Sequence, residues 1–134
     1  MNKYILSIII LLVLDILWLK LFMIEKYRGL VFNIQNSKLE GDVYYAIPAY
    51  ILMVLGLLHF VLPNIKSETL FNDSIQYGAL FGIVLYGVYN FTCGAVFKNW
   101  DINIALLDIF WGGFVYFATS YLTMIISKKL NYQL

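Results

Sequence analysis

Two aspartates are the residues best suited to chemistry in this sequence, because each lies within a long apolar stretch. Asp15 is followed three residues later by Trp18, and Asp108 is followed at the same spacing by Trp111. Residues three apart share a face of a helix, so each carboxylate is expected beside an indole ring. Carboxylates inside a membrane are energetically costly and commonly serve proton relays, ion paths or ligand sites. The two motifs therefore predict a site that exchanges a proton, a cation or a polar ligand.

Polar and aromatic residues of two further apolar stretches fall at a similar depth. Tyr86, Tyr89 and Asn90 recur at spacings of three and four, which places them on one helix face. A helical rise of about 1.5 Å per residue puts them in the same half of the membrane as the two aspartates. We therefore predict an acidic, aromatic-walled half-membrane pocket lined by Asp15, Trp18, Tyr50, Tyr86, Tyr89, Asn90, Thr92, Asp108 and Trp111.

The composition indicates an integral membrane protein. Of 134 residues, 62% are hydrophobic and 13% are charged, and the charged share is about half that of a soluble domain. The many apolar and aromatic residues exclude a disordered chain, and a net charge of +1 without a basic patch argues against nucleic-acid binding. One cysteine and one histidine cannot build a disulfide, a thiolate metal site or a haem site, so we predict no metal and no cofactor.

Four apolar stretches are long enough to cross a bilayer, which takes roughly 20 helical residues. The predicted fold is all-α: an integral membrane four-helix bundle, forming a single transmembrane domain over 1–134, with both termini on the same side. The predicted helices cover about 4–22, 43–62, 75–97 and 102–126. The long first loop, 23–42, is suited to a short interfacial helix. Lysines and arginines divide almost evenly between the two sides, so the sequence predicts no orientation.

Small residues mark where the helices can approach closely. Gly78 and Gly82 form a small-xxx-small pair on the third predicted helix, and Gly112 and Gly113 follow Trp111 on the fourth. Small residues allow two helix backbones to touch inside a membrane. We therefore expect close helix contacts beside the predicted pocket.

Short motifs follow one another along the whole chain. They are Asp15-x-x-Trp18-Leu19, Tyr27-Arg28, Gly78-Ala79-Leu80-Phe81-Gly82, Tyr86-Gly87-x-Tyr89-Asn90-Phe91-Thr92, Lys98-x-Trp100 and Asp108-x-x-Trp111-Gly112. On these motifs the chain resembles the family of small four-helix membrane proteins catalogued as domain of unknown function two-one-seven-seven. The resemblance implies a membrane location and a four-helix fold, and it implies no reaction. Family members usually carry Asp at the position of Asn90 and Asn at that of Cys93, so this chain lacks a third carboxylate of the family pattern.

Three functions are compatible with these residues. The leading hypothesis is a protein that binds or translocates a small polar ligand, a cation, a proton or a lipid head group at Asp15 and Asp108. The first alternative is a membrane-embedded enzyme acting on a lipid or lipid-like substrate, with two carboxyl groups dividing the acid and base roles. The second alternative is a structural or assembly subunit in which the aspartates only join helices. In each case the protein is multi-pass and surrounded by the lipid bilayer. The sequence is compatible with a homo-oligomer as well as with a monomer.

Overall fold

A computed structural model describes residues 2–132, which form four long helices. They are α1 (Lys3–Gln35), α2 (Val43–Asn64), α3 (Leu70–Val96) and α4 (Ile102–Tyr132). All four are long and apolar enough to cross a membrane, and residues 2–132 contain no β-strand. The predicted all-helical membrane fold with four spans is thus confirmed, whereas the common side of the two termini stays a prediction.

Polar side chains explain where three of the helices begin. Asn2, Asp42 and Asp101 each accept a hydrogen bond from the backbone N–H two residues later, at 2.8–2.9 Å. The first turn of a helix leaves N–H groups without a backbone partner, and a side-chain acceptor satisfies one of them. The three starting points are therefore local properties of the sequence.

Helix α1 is longer than the hydropathy of the sequence predicts. Residues 23–42 are predicted as a loop suited to a short interfacial helix. A helix is present at Ile24–Gln35, but it continues α1 rather than standing apart, and it ends where Asn36 adopts a left-handed conformation with φ 55°. Hydropathy determines which part of a helix lies in hydrocarbon, not where the helix ends. The segment after Phe22 is polar but contains no proline and one glycine, so its backbone can stay helical. A π-helical turn at Leu19–Met23 joins the two parts.

Helices α3 and α4 also extend beyond their predicted ends. Helix α3 begins at Leu70 rather than near 75, and α4 continues to Tyr132 rather than ending near 126. Both extensions carry polar residues, such as Asp73 on α3 and Lys128 on α4. A hydropathy window leaves such residues out although they are compatible with a helix.

Helix α4 lies at the centre of the bundle and packs most closely against α3. Half of its most apolar segment is buried inside the protein, against 11–22% for the other three helices. A Cβ atom added to Gly82 would lie 1.9 Å from the carbonyl oxygen of Gly112, and one added to Gly78 would lie 2.9 Å from that of Tyr116. The close approach predicted at these glycines is confirmed. The earlier residue of α3, Gly78, meets the later residue of α4, Tyr116, so the two helices are antiparallel.

Candidate functional site

The carboxylate of Asp15 is the meeting point of all four helices. Its Oδ2 accepts a hydrogen bond from the Tyr50 hydroxyl of α2 at 2.9 Å. Its Oδ1 accepts one from the Tyr86 hydroxyl of α3 at 2.9 Å and one from Trp111 Nε1 of α4 at 3.1 Å. All three donors are neutral. The carboxylate is therefore held by hydrogen bonds alone, without an opposite charge.

Asp108 belongs to the same hydrogen-bonded network. Its Oδ2 accepts a hydrogen bond from Asn90 Nδ2 at 2.7 Å, and that nitrogen also donates to the carbonyl oxygen of Tyr86 at 2.9 Å. Tyr86 thus binds Asp15 through its hydroxyl and reaches Asp108 through Asn90. Asp108 is 6% exposed and Asn90 is 1% exposed. We call the connected residues the acid cluster: Asp15, Tyr50, Tyr86, Asn90, Asp108 and Trp111.

The acid cluster contains one buried acceptor without a partner. Within the described residues, Asn90 Oδ1 has no hydrogen-bond donor. Its amide nitrogen faces two acceptors, which fixes the orientation of the amide group. An additional proton donor near Asn90 would therefore find an acceptor.

The two tryptophans of the sequence motifs contact each other. Trp18 stacks on Trp111 with ring centroids 4.4 Å apart and an angle of 2° between the planes. Phe22 also stacks on Trp18, at 4.7 Å. The two motifs are used unequally, since Trp111 donates to Asp15 whereas Trp18 Nε1 is buried without a partner among the described residues. The stacked indoles cover one side of the acid cluster with apolar surface.

Tyr27 lies next to the acid cluster, although it belongs to the predicted first loop. Its hydroxyl is beside the Asp108 carboxylate. At about 100° per residue, Tyr27 would lie about 120° around α1 from Asp15. The π turn at Leu19–Met23 adds one residue, which brings the two to within about 20°. The Tyr27-Arg28 pair among the family motifs is the signal in the sequence that could have indicated this residue.

Two residues of the predicted pocket lie outside the hydrogen-bonded network, although Tyr89 is near Asp108 and Tyr27 at its edge. Tyr89 is 54% exposed and packs edge-to-face on Trp100, with centroids 6.3 Å apart. Thr92 is exposed and lines an outer groove beside Phe91. Six residues at about 100° each place Thr92 about 120° around α3 from Tyr86, so equal depth does not bring it to the same face. The structure brings together the other seven predicted residues.

The surroundings of the acid cluster hold no opposite charge and open onto neither outer groove. In the described part of the chain, the one ion pair joins Glu25 and Arg28, both largely exposed. The same residues include no group of three histidine, cysteine or acidic side chains that could hold a metal. Two grooves outside α3 are lined by neither Asp15 nor Asp108. The arrangement thus joins a half-buried carboxylate, Asp15, and a buried one, Asp108, through neutral donors.

The comparisons with known proteins agree with the fold. A model of the family described as "Predicted membrane protein (DUF2177)" matches residues 1–125, which include the entire acid cluster. No curated protein and no solved structure matches the chain. The description gives a membrane location, and the four membrane-crossing helices fit it. Because the match covers most of its length, the chain belongs to the DUF2177 family of predicted membrane proteins.

Proposed function

We propose that this membrane protein binds and releases a proton at the acid cluster, and so conducts protons or couples them to another process. One observation carries the proposal: Asp15 and Asp108 share a hydrogen-bonded network that has no basic side chain within 4 Å among the described residues. Two carboxylates in this setting need a positive partner. A proton is the smallest one.

The argument rests first on charge. The two carboxylates are near enough to repel each other when both are ionised. An ion in a low-dielectric interior is costly unless it is paired, and a second ion of the same sign raises that cost. Binding one proton removes a charge and lets the remaining carboxylate keep its neutral donors.

Available space then favours a proton over a larger cation. Asp15 Oδ1 already accepts two hydrogen bonds and Oδ2 accepts one. One acceptor position is left on this carboxylate, fewer than the several oxygen ligands that a metal ion takes. A proton needs only one free lone pair, and a carboxylate has about four acceptor positions.

Tyr86 provides a connection between the two carboxylates. A hydroxyl group can donate one proton while it accepts another. The Tyr86 hydroxyl contacts Asp15 directly, and its backbone carbonyl meets the Asn90 amide that binds Asp108. Tyr86 therefore helps to position both carboxylates, Asp15 directly and Asp108 through Asn90.

The test is proton flux in proteoliposomes that contain a pH-sensitive dye, driven by a pH gradient. We expect flux with the wild-type chain and its loss in Asp15→Asn and Asp108→Asn, because an amide cannot take up a proton in this pH range. Asp101→Asn is the matched control: it makes the same chemical change at a helix start, where Asn caps as well as Asp. This control is expected to conduct like the wild type.

Protonation itself can be followed by difference infrared spectroscopy between neutral and acidic pH. We expect a carboxyl band that is absent in Asp15→Asn or in Asp108→Asn and present in Asp101→Asn. Wild-type vesicles that behave like protein-free vesicles, together with spectra that lack such a band, would overturn the proposal.

A structural role is the second candidate, and a specific observation favours it. Asp15 binds side chains of the three other helices at once, which is an effective way to hold a bundle together. In that case Asp15→Asn would lower stability while every other property of the reconstituted protein stays unchanged.

A further inference from the structure

Several buried hydroxyl groups lie on α3 and α4 away from the acid cluster. Ser74, Thr119 and Thr123 are fully buried, at 0% exposure. Their hydroxyl oxygens, and that of Ser127, have no hydrogen-bond partner among the described residues. We call Ser74, Thr119 and Thr123 the hydroxyl cluster.

The helix register places the members of the hydroxyl cluster near one another. Gly78 of α3 abuts Tyr116 and Ser120 of α4. Because the two helices are antiparallel, Ser74, one turn before Gly78, lies level with the turn of α4 that follows Ser120. That turn contains Thr123, and Thr119 precedes it by four residues on the same face.

The unpaired hydroxyls differ from a neighbouring serine that is satisfied within its own helix. Ser120 donates to the carbonyl oxygens of Tyr116 and Phe117, at 2.7 and 3.0 Å. This is the usual solution for a hydroxyl inside a helix. Thr119 and Thr123 do not adopt it, so their hydroxyls require a partner from outside α4. Buried polar groups without a protein partner are commonly satisfied by ordered water.

We infer that the hydroxyl cluster is a buried water-binding site. Water fits the chemistry because hydroxyl groups are neutral and both donate and accept, and because a bound water needs two to four polar partners. A metal ion fits poorly, since the described residues include no set of three histidine, cysteine or acidic side chains that could hold one.

The water site is separated from the acid cluster by a dry layer. Trp111, Val115, Thr119 and Thr123 follow one another along α4 at spacings of four, each about 40° around the helix from the one before, and all four are buried. Val115 is 0% exposed and shares a hydrophobic core with Leu11 and Leu57, which are also fully buried. On the proposed function, the water site carries protons up to this layer, and Val115 lies where they must cross.

Water occupancy is tested by solid-state NMR on the full chain in lipid vesicles, using magnetisation transfer from water. We expect transfer to Thr119 and Thr123 to be several-fold faster than to Leu11, Val115 and the lipid-facing Thr92. The variant Thr119→Val with Thr123→Val keeps side-chain volume and should slow the transfer to Ser74 several-fold, whereas Thr92→Val should leave it unchanged. Transfer to Thr119 and Thr123 as slow as to Val115 would overturn the inference.

The connection to proton movement is tested separately with Val115→Thr, which extends the row of hydroxyls through the dry layer at nearly constant volume. We expect several-fold faster proton flux, and no change in the lipid-facing control Val88→Thr. Unchanged flux in Val115→Thr, while Asp15→Asn still abolishes flux, would overturn the connection and leave the proposed function standing. Absence of flux in every variant would instead reject the proposed function, and the NMR result would then decide on the water site alone.

Discussion

The carboxylate of Asp15 has three neutral donors, so the effect of replacing it depends on what those donors find instead. Asp15→Leu leaves the Tyr50 and Tyr86 hydroxyls and the Trp111 N–H without an acceptor. An unsatisfied buried group costs about 1–3 kcal/mol, and three donors are affected, so we expect the free energy of unfolding to fall by at least that amount. Asp15→Asn should lose less, because its amide oxygen still accepts.

A mutant cycle checks this explanation. Adding Tyr50→Phe and Tyr86→Phe to Asp15→Leu removes two of the orphaned donors, so the triple variant should be more stable than Asp15→Leu alone. Residues in direct contact are expected to be non-additive in this way. Unfolding measured in detergent or bicelles decides the point, and strictly additive losses would contradict the hydrogen-bond network.

At the residue scale, the sequence predicts depth better than direction. The apolar surroundings of Asp15 and Asp108 are enough to place both in one half of the membrane. Direction around a helix depends on details such as the π turn at Leu19–Met23, which rotates Tyr27 toward the acid cluster. Hydropathy and periodicity do not encode that turn. Thr92 is the opposite case: it is predicted at the depth of the two aspartates, but its side chain is exposed on the outside of the bundle.

The contact between α3 and α4 makes a prediction about one helix pair. In Gly82→Ala the new methyl group would meet the Gly112 carbonyl oxygen at 1.9 Å, so the two backbones must separate. Overpacking of this kind costs about 1–3 kcal/mol. Tyr86 is one turn beyond Gly82, so its hydrogen bond to Asp15 should weaken too. We expect lower stability together with slower proton flux.

Gly87→Ala is the matched control on the same helix. An added Cβ there meets no atom within 4 Å, and alanine favours a helix over glycine by up to about 1 kcal/mol. This variant should be as stable as the wild type or more stable. Equal losses in the two variants, measured by unfolding in bicelles, would contradict close packing at Gly82 as the cause of the loss.

At the element scale, the long apolar runs are sufficient to predict four helices, because roughly 20 apolar residues must cross the bilayer as a helix. The ends are less predictable. Helix α1 continues to Gln35 through polar residues, and its actual end depends on the left-handed conformation of Asn36. That conformation is a local backbone property that hydropathy does not report.

Across the whole molecule, the interior alternates between polar and apolar layers. The acid cluster occupies one half of the bundle, the hydroxyl cluster occupies the other, and Leu11, Leu57 and Val115 are buried between them. Periodicity predicts the acid cluster because carboxylates are conspicuous in an apolar sequence. The hydroxyl cluster escapes sequence analysis because most membrane serines and threonines bond to their own helix, and only the structure shows which do not.

This arrangement predicts how transport responds to voltage. A charge that crosses the full membrane gains about 2.3 kcal/mol per 100 mV. On the proposed function a proton moves through the acid cluster without a compensating ion, so its movement should be electrogenic. We use proteoliposomes with a potassium diffusion potential that is negative inside and with no pH gradient. We expect protons to enter these vesicles with the wild-type chain and not with Asp15→Asn. Proton movement that follows the pH gradient but ignores the potential would mean instead that another ion moves with each proton.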